Sequence, residues 1–292
     1  MLNEKGREMK KRIALLSDVH GNSTALSAVV EDLKKRDVDT CWFLGDLVMP
    51  GPGNNELFDL LAGINTDIYI KGNWDDCFLE VIKSHSTLDL SDESDVYIGI
   101  LGQYVYEKLS TNNRDKIKKF ETCETRVINN LKISISHNLP DKNYGSALIP
   151  VAETSNFNEL FINSSFDIAV YGHVHHQLLR YSSQGQLIIN PGTIGEPFFA
   201  HSKLNNDRRA QYAILEIDET GLADVDFRKV TYNLDQEMSL ARNISLPYAE
   251  LYSEMIYDGR VYTHNQEILK KINQKNNYLN ALRPFLDSFS EE

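Results

Sequence analysis

Arg12-Ile13-Ala14-Leu15-Leu16-Ser17-Asp18-Val19-His20-Gly21-Asn22 is the stretch from which the fold can be read. Ile13 to Leu16 form an unbroken apolar run, the pattern of a strand buried on both faces, and the predicted strand covers Arg12–Ser17. The apolar character then stops, and an aspartate and a histidine follow with one residue between them. Ser23 to Arg36 reads as a helix with Ala25, Leu26, Val29, Val30 and Leu33 on one face and Asn22 or Ser23 as its cap. A buried strand, a polar turn and an amphipathic helix make the opening of an α/β unit.

The same succession continues outward. Thr40–Leu44 reads as a second strand, Glu56–Ala62 as a helix and Asp67–Lys71 as a third strand, a βαβαβ rhythm that predicts parallel strands under covering helices. Asp75 to Phe120 is mostly helical in character. Leu131, Ile133 and Ile135 alternate as a strand, and Ile168–Tyr171 is another short apolar run. Leu187–Asn190, Tyr212–Ile217 and Val225–Val230 complete the strands, the last two joined as a hairpin at Glu219–Gly221. From Leu234 the sequence is helical and polar. The expected organisation is one domain over residues 10–233 and a C-terminal helical extension over 234–292 packed on it. That extension has two further uses open to it, capping the site or forming a homodimer contact.

Composition narrows the function. With 41% hydrophobic and 25% charged residues, the chain is ordinary for a globular protein. A net charge of −12 repels phosphate backbones, so no non-specific nucleic-acid binding is expected. A small phosphorylated substrate stays open, because bound divalent cations reverse the local field. Three cysteines, Cys41, Cys77 and Cys123, with no CxxC pair, argue against a disulfide framework and a cysteine zinc site and fit a reducing, cytoplasmic setting. Apolar runs fall far short of the ~20 residues that span a bilayer, and no secretory apolar region follows the charged N-terminus, so no membrane association is expected. Met1 and Met9 are alternative starts.

Five polar clusters each follow a short apolar strand: Asp18-Val19-His20-Gly21-Asn22, Gly45-Asp46, Gly72-Asn73-Trp74-Asp75, Ser136-His137-Asn138 and Gly172-His173-Val174-His175-His176. In α/β sheets, ligands bind beyond the carboxyl ends of the strands, so five such ends can converge. Asp18, His20, Asp46, Asn73, His137, His173 and His175 make a mixed oxygen and imidazole set that suits Mn or Fe first, with Zn, Co or Mg acceptable. Seven donors exceed what one ion with an open position needs. They suit two divalent ions sharing a carboxylate.

In this order, the motifs Asp-Val-His-Gly-Asn, Gly-Asp, Gly-Asn-Trp-Asp, Ser-His-Asn and Gly-His-Val-His resemble those of the calcineurin-like metallophosphoesterases, in particular the small bacterial and archaeal branch, and within it the streptococcal diadenosine tetraphosphate hydrolases. The likeness continues through Asn190-Pro191-Gly192-Thr193-Ile194-Gly195 and Asp207-Arg208-Arg209. It implies an α/β fold of two mixed β-sheets packed face to face with helices outside, a four-layer αββα arrangement. It also implies one metal on Asp18, His20, His175 and the bridging Asp46, and a second on Asp46, Asn73, His137 and His173. Asp46 and Asn73 are the candidate catalytic positions, with a metal-bridging hydroxide as nucleophile. The implied substrate is a nucleotide phosphoanhydride such as diadenosine tetraphosphate.

One position departs from the pattern. Many members carry His directly after the ligand Asn, and here Trp74 stands there. An indole N–H donates a hydrogen bond but supplies no proton at neutral pH, which favours a leaving group needing little protonation, such as a phosphate. Asn22, Asn138, Arg208 and Arg209 are the candidate substrate contacts, through amide donors and guanidinium forks. Asp75 is a candidate to orient the ligands. The competing enzymatic reading is a phosphodiesterase for cyclic nucleotides or other small diesters. The competing non-enzymatic reading is a silent scaffold on the same fold, which an intact ligand set argues against.

Overall fold

The computed structural model describes residues 10–162 and 165–289, so the choice between Met1 and Met9 lies outside the described residues. The strands are β1 Lys11–Leu16, β2 Thr40–Phe43, β3 Thr66–Tyr69, β4 Cys123–Ile128, β5 Leu131–Ser136, β6 Ile168–Tyr171, β7 Gln177–Tyr181, β8 Leu187–Pro191, β9 Ala210–Asp218 and β10 Gly221–Val230. The helices are α1 Ser23–Leu33, α2 Asn55–Ala62, α3 Asn73–Val81, α4 Glu93–Lys108, α5 Thr111–Lys118, α6 Thr154–Asn158, α7 Leu234–Asn243, α8 Ala249–Asp258, α9 Gln266–Asn276 and α10 Tyr278–Asp287. Among the described residues, the strands form two five-stranded mixed sheets, ordered β10-β9-β1-β2-β3 and β4-β5-β6-β8-β7.

The apolar run in β1 is buried on both faces, as its sequence predicts. Ile13 and Leu15 point between the sheets, where they meet Trp42, Leu44, Ile68, Ile133, Ile135, Val170 and Leu215. Ala14 and Leu16 point the other way, against Leu26 and Val29 of α1 and Leu57 of α2. Each such buried aliphatic side chain is worth roughly 1.5–3 kcal/mol. A smaller core, with Phe157, Leu160, Tyr171 and Ile188, covers the outer face of the second sheet. The layering is therefore helix, sheet, sheet, helix, as the motifs imply.

The parallel β1-β2-β3 set and the parallel β5-β6-β8 set end at one rim of the sandwich. Two strands escape the sequence reading, β4 and β7. Both are edge strands with largely solvent-facing side chains, so neither carries a run of buried apolar residues. The C-terminal helices α7 to α10 are helical as expected and pack on the first sheet's helical layer, with Leu251, Met255, Leu269, Ile272 and Leu282 in the same core as α1 and α4. No helix among the described residues is long and apolar enough to cross a membrane.

Candidate metal centre

Each of the five polar clusters lies at a strand end on this rim, and the backbone there bends sharply. Asp18, His20, Asp46, His173 and His175 all adopt positive φ, between 51° and 67°. Such conformations are uncommon for residues other than glycine and collect at functional sites. The bends turn side chains that would otherwise follow the strand across the rim toward one centre. Close approach of the chains adds to this. A Cβ at Gly72 would collide with Asp46 Oδ1.

The donors fall into two groups whose ligand atoms lie within 4.8 Å of one another: Asp18, His20 and His175, and Asp46, His137 and His173. His20 Nε2 sits 3.9 Å from Asp18 Oδ1, 3.7 Å from Asp46 Oδ2 and 3.1 Å from His175 Nε2. His137 Nε2 sits 3.3 Å from Asp46 Oδ2 and 3.1 Å from Asn73 Oδ1. Asp46 thus reaches both groups, and Asn73 joins the second.

Tautomers follow from the backbone. Carbonyl oxygens only accept, so His20 Nδ1 donates to Met49 O (2.9 Å), His137 Nδ1 to Leu44 O (2.6 Å) and His175 Nδ1 to Glu196 O (2.9 Å). His173 is held the other way round, donating Nε2–H to Gly145 O at 3.0 Å. Every imidazole is anchored at one nitrogen and turns the other into the centre, the arrangement that metal-ligating histidines use. In the neutral rings, the Nε2 lone pairs of His20 and His175 face each other. Asp18 Oδ1 is buried and makes no well-formed hydrogen bond among the described residues, although His175 Nε2 lies 3.2 Å away. With the rings neutral, facing lone pairs and a buried carboxylate oxygen without a well-formed hydrogen bond are what a cation would satisfy, so the donor set fits divalent metals.

The charges are tightly coupled. Burial lowers the pKa of His175, but Asp18 outweighs it and leaves the ring at about 9. His137 reaches about 9 through Asp46 and Asp18, again against burial. Burial and the charge on His137 drive His173 down to about 4. Burial pushes Asp18 and Asp46 up, but the surrounding imidazoles hold both below the ordinary carboxylate range.

Asp75 orders the floor beneath. It is fully buried, and its carboxylate accepts from Asp46 N (2.9 Å), Leu47 N (3.0 Å) and Gly72 N (2.9 Å). Trp74 N–H donates to Asp46 Oδ1 at 2.8 Å. The Trp74 ring lies edge-on to His20, with centroids 5.9 Å apart. Above the centre is an open cavity of about 300 Å³ lined by Asp46, Asn73, Trp74, His173, His175 and Glu196. Its roof comes from Val261, Thr263 and His264, in the segment between α8 and α9.

The family model for the calcineurin-like phosphoesterase superfamily domain matches residues 11–220. The chain belongs to this superfamily. As a member it is a metal-dependent phosphoesterase, and its helical extension lies beyond the matched region. The protein MJ0912 of Methanocaldococcus jannaschii is 27% identical over 269 residues, covering 86% of this chain and all of that protein. A metallophosphoesterase from Sphaerobacter thermophilus superposes with TM-score 0.62 at 24% identity, covering 85% of this chain and all of that one. The protein PH1004 from Pyrococcus horikoshii superposes with TM-score 0.67 at 19% identity, covering 85% and 98%. These two structures share the fold.

The four candidate substrate contacts have other employment. Asn22 caps α1 through Ala25 N (2.9 Å) and donates to Gly195 O (3.3 Å) and Tyr232 OH (3.1 Å). Asn138 Nδ2 donates to Gly145 O at 3.2 Å. Arg209 is exposed and paired with Asp207 at 2.8 Å. Arg208 is buried and donates Nη2–H to Asn205 Oδ1 at 2.8 Å, while its Nε and Nη1 meet no acceptor among the described residues. None of the four lines the cavity. Glu196, Thr263 and Val261 do, and sequence reasoning did not find them. Glu196 directly follows the Asn190–Gly195 stretch of the family likeness, which was the available signal.

Proposed function

We propose that the chain hydrolyses a phosphoanhydride bond of a nucleotide, with a dinucleoside polyphosphate such as diadenosine tetraphosphate as first candidate, using two divalent cations, Mn or Fe before Zn, Co or Mg. In this reading Asp18, His20 and His175 hold one cation, Asn73, His137 and His173 the other, and Asp46 bridges them. The observation that carries it is the sharing of Asp46 Oδ2 between the two donor groups, 3.7 Å from His20 Nε2 and 3.3 Å from His137 Nε2, directly under an open cavity. When bound, the cations would supply an activated water and neutralise charge on the phosphoryl oxygens. Asp75 and Trp74 N–H fix Asp46. The anchored imidazoles keep their free nitrogens aimed inward. The tail roof and the indole of Trp74 give the non-reacting part of a substrate apolar surface and shield the centre from bulk water.

The anhydride preference rests on Trp74. The position where relatives hold an imidazole carries no proton donor, so a good leaving group is favoured over an alkoxide. The setting proposed is cytoplasmic, and the partner a small phosphorylated nucleotide. The test is a substrate panel on metal-reconstituted protein, with diadenosine tetraphosphate, cyclic nucleotides, a simple diester and a monoester, run beside Asp46→Asn. Turnover of the anhydride ahead of the diesters, falling at least ~10²–10³-fold in the variant, is the expected result. Faster turnover of the diesters moves the enzyme to the phosphodiesterase reading. Equal rates in wild type and variant would remove the centre from the reaction.

A further inference from the structure

We propose that Glu196 is an additional protein ligand of the cation site formed by Asp18, His20, His175 and the shared Asp46. This rests on the two-cation reading and adds to it a carboxylate outside the five strand-end motifs.

Distance is the first support. Glu196 Oε2 lies 3.8 Å from His20 Nε2. The two carboxylates already assigned to that site lie 3.7 and 3.9 Å from the same nitrogen. Donors on one ion with bonds near ~2.1 Å stand up to ~4.2 Å apart, so the distance from Glu196 to His20 meets that limit, although Glu196 stands outside the tighter group of Asp18, His20 and His175, whose ligand atoms lie within 4.8 Å of one another.

Burial is the second. Glu196 is 7% exposed, and among the described residues its only ion-pair contact is His20. Among the described residues no lysine or arginine lies within ion-pair distance of the carboxylate, and the buried Arg208 guanidinium acts on it only from farther away. A buried carboxylate is costly unless a counter-charge or a metal balances it.

The third is the way the residue is held. Ile194 N donates to Ser17 O (3.0 Å) and Gly195 N to Asp18 O (2.9 Å), and Thr193 Oγ1 donates to Asp18 O (2.8 Å) while accepting from Glu196 N (3.0 Å). A Cβ at Gly195 would collide with the Val19 carbonyl, so the loop comes this close because that residue is glycine. Glu196 O also accepts the His175 Nδ1 proton. The turn is thus riveted to the backbone of one ligand and the ring of another, which fixes the carboxylate relative to both.

The consequence is asymmetry. The first site has three carboxylates and two imidazoles, counting the shared Asp46. The second has one shared carboxylate, an amide oxygen and two imidazoles. The more anionic site binds a cation more tightly, so two unequal binding steps should be seen.

Metal-stripped wild type, Glu196→Gln, Glu196→Asp and Asn73→Ala are titrated with Mn²⁺ by calorimetry, with bound metal counted by mass spectrometry. The expected result is two unequal steps in wild type, the tighter one weakened at least ~10-fold in E196Q with the weaker one kept, and the reverse in N73A. An E196Q isotherm that superimposes on wild type overturns the proposal. Should E196Q fail to fold, E196D carries the same comparison. It keeps the charge but shortens the reach, so a weakened tight step supports ligation and an unchanged one overturns it. Wild type binding fewer than two ions would instead sink the two-cation reading, whatever Glu196 does.

Discussion

The cavity has a floor and a roof of different construction. The floor is the set of strand ends carrying Asp18, His20, Asp46, Asn73, His137, His173 and His175, locked by backbone hydrogen bonds and strained turns. The roof is Val261, Thr263 and His264, in a segment outside any helix or strand, placed by the docking of α8 and α9 on the domain. That docking uses an aromatic ladder, Tyr97 to Tyr248 at 4.6 Å and Tyr248 to Tyr278 at 4.8 Å, and polar pins such as Asn273 Nδ2 on Glu93 Oε2 at 2.8 Å. The contrast separates two jobs. The floor sets which bond chemistry is available, and the roof sets which molecules reach it, so variants in the two should fail in different ways.

The largest effect is expected from the floor. Asp75→Ala leaves the buried amides of Asp46, Leu47 and Gly72 without their acceptor. Each such loss costs about 1–3 kcal/mol, so a destabilisation on the order of 3 kcal/mol or more is expected, together with lost Mn²⁺ binding. Chemical denaturation and metal content check both. A variant that keeps wild-type Mn²⁺ affinity would mean that Asp75 does not organise the floor.

The roof should respond more mildly and in another parameter. Thr263→Ala and His264→Ala remove side chains that line the cavity and belong to none of the five strand-end clusters. KM for a dinucleotide should rise by about 3–10-fold with kcat nearly kept, and a small diester that cannot reach the roof should be unaffected. A matching fall in kcat for both substrates would put the roof inside the chemistry and erase the distinction.

The same contrast explains what could be read from the sequence. The convergence of the floor residues was legible because each candidate ligand sits within a few residues of its own strand, as in Leu16-Ser17-Asp18 or Tyr171-Gly172-His173, so local pattern and position on the rim coincide. Asp75 was visible as a candidate, and its bond from Gly72 N is a local helix cap, but its other two amide partners, Asp46 and Leu47, follow β2 far away in the chain, and no spacing reveals that. Glu196 was missed because it falls just beyond the Asn190–Gly195 stretch of the family likeness, and its approach to His20 depends on how residues 192–195 seat against the end of β1. Val261 and Thr263 carry no periodicity, so their place over the cavity is purely tertiary. Edge strands β4 and β7 were missed for a related reason: one half-solvated face gives no apolar run.

Acidity distinguishes floor from roof without mutation of a ligand. In metal-free protein His137 and His175 are raised from 6.5 to about 9, chiefly by Asp46 and Asp18 acting against burial. A raised folded-state value means the imidazolium–carboxylate pairs contribute stability that is complete below about pH 6.5 and lost as pH climbs through 9. Binding a cation requires the same protons to leave, so the gain from Mn²⁺ grows over that interval. The expected outcome is a metal-free Tm that falls between pH 6.5 and 9.5 while the increment on adding Mn²⁺ widens. Thr263→Ala should leave both trends as they are. A metal-free Tm that rises over this range would mean the rings are not paired as described.

The smallest effect belongs to a residue that belongs to neither region. Arg209 follows the buried Arg208 but points outward, half exposed, with Nε and Nη2 both 2.8 Å from Asp207. Asp207 also accepts from Lys229 Nζ at 2.8 Å, so the carboxylate keeps a cationic partner when Arg209 is removed. Exposed ion pairs contribute about 0–1 kcal/mol, and the remaining lysine absorbs part of that loss. Arg209→Gln should therefore shift stability by less than about 0.5 kcal/mol and leave KM for a dinucleoside polyphosphate within about two-fold. Arg208→Gln is the internal contrast. It removes a buried guanidinium from beside Asn205 and Gly259, where α8 ends, and should loosen the support of the roof, raising KM more than its neighbour does. A KM that rises several-fold in the Arg209 variant and not in the Arg208 variant would reverse the assignment, placing the outward guanidinium on the substrate and extending the roof to the loop that carries it.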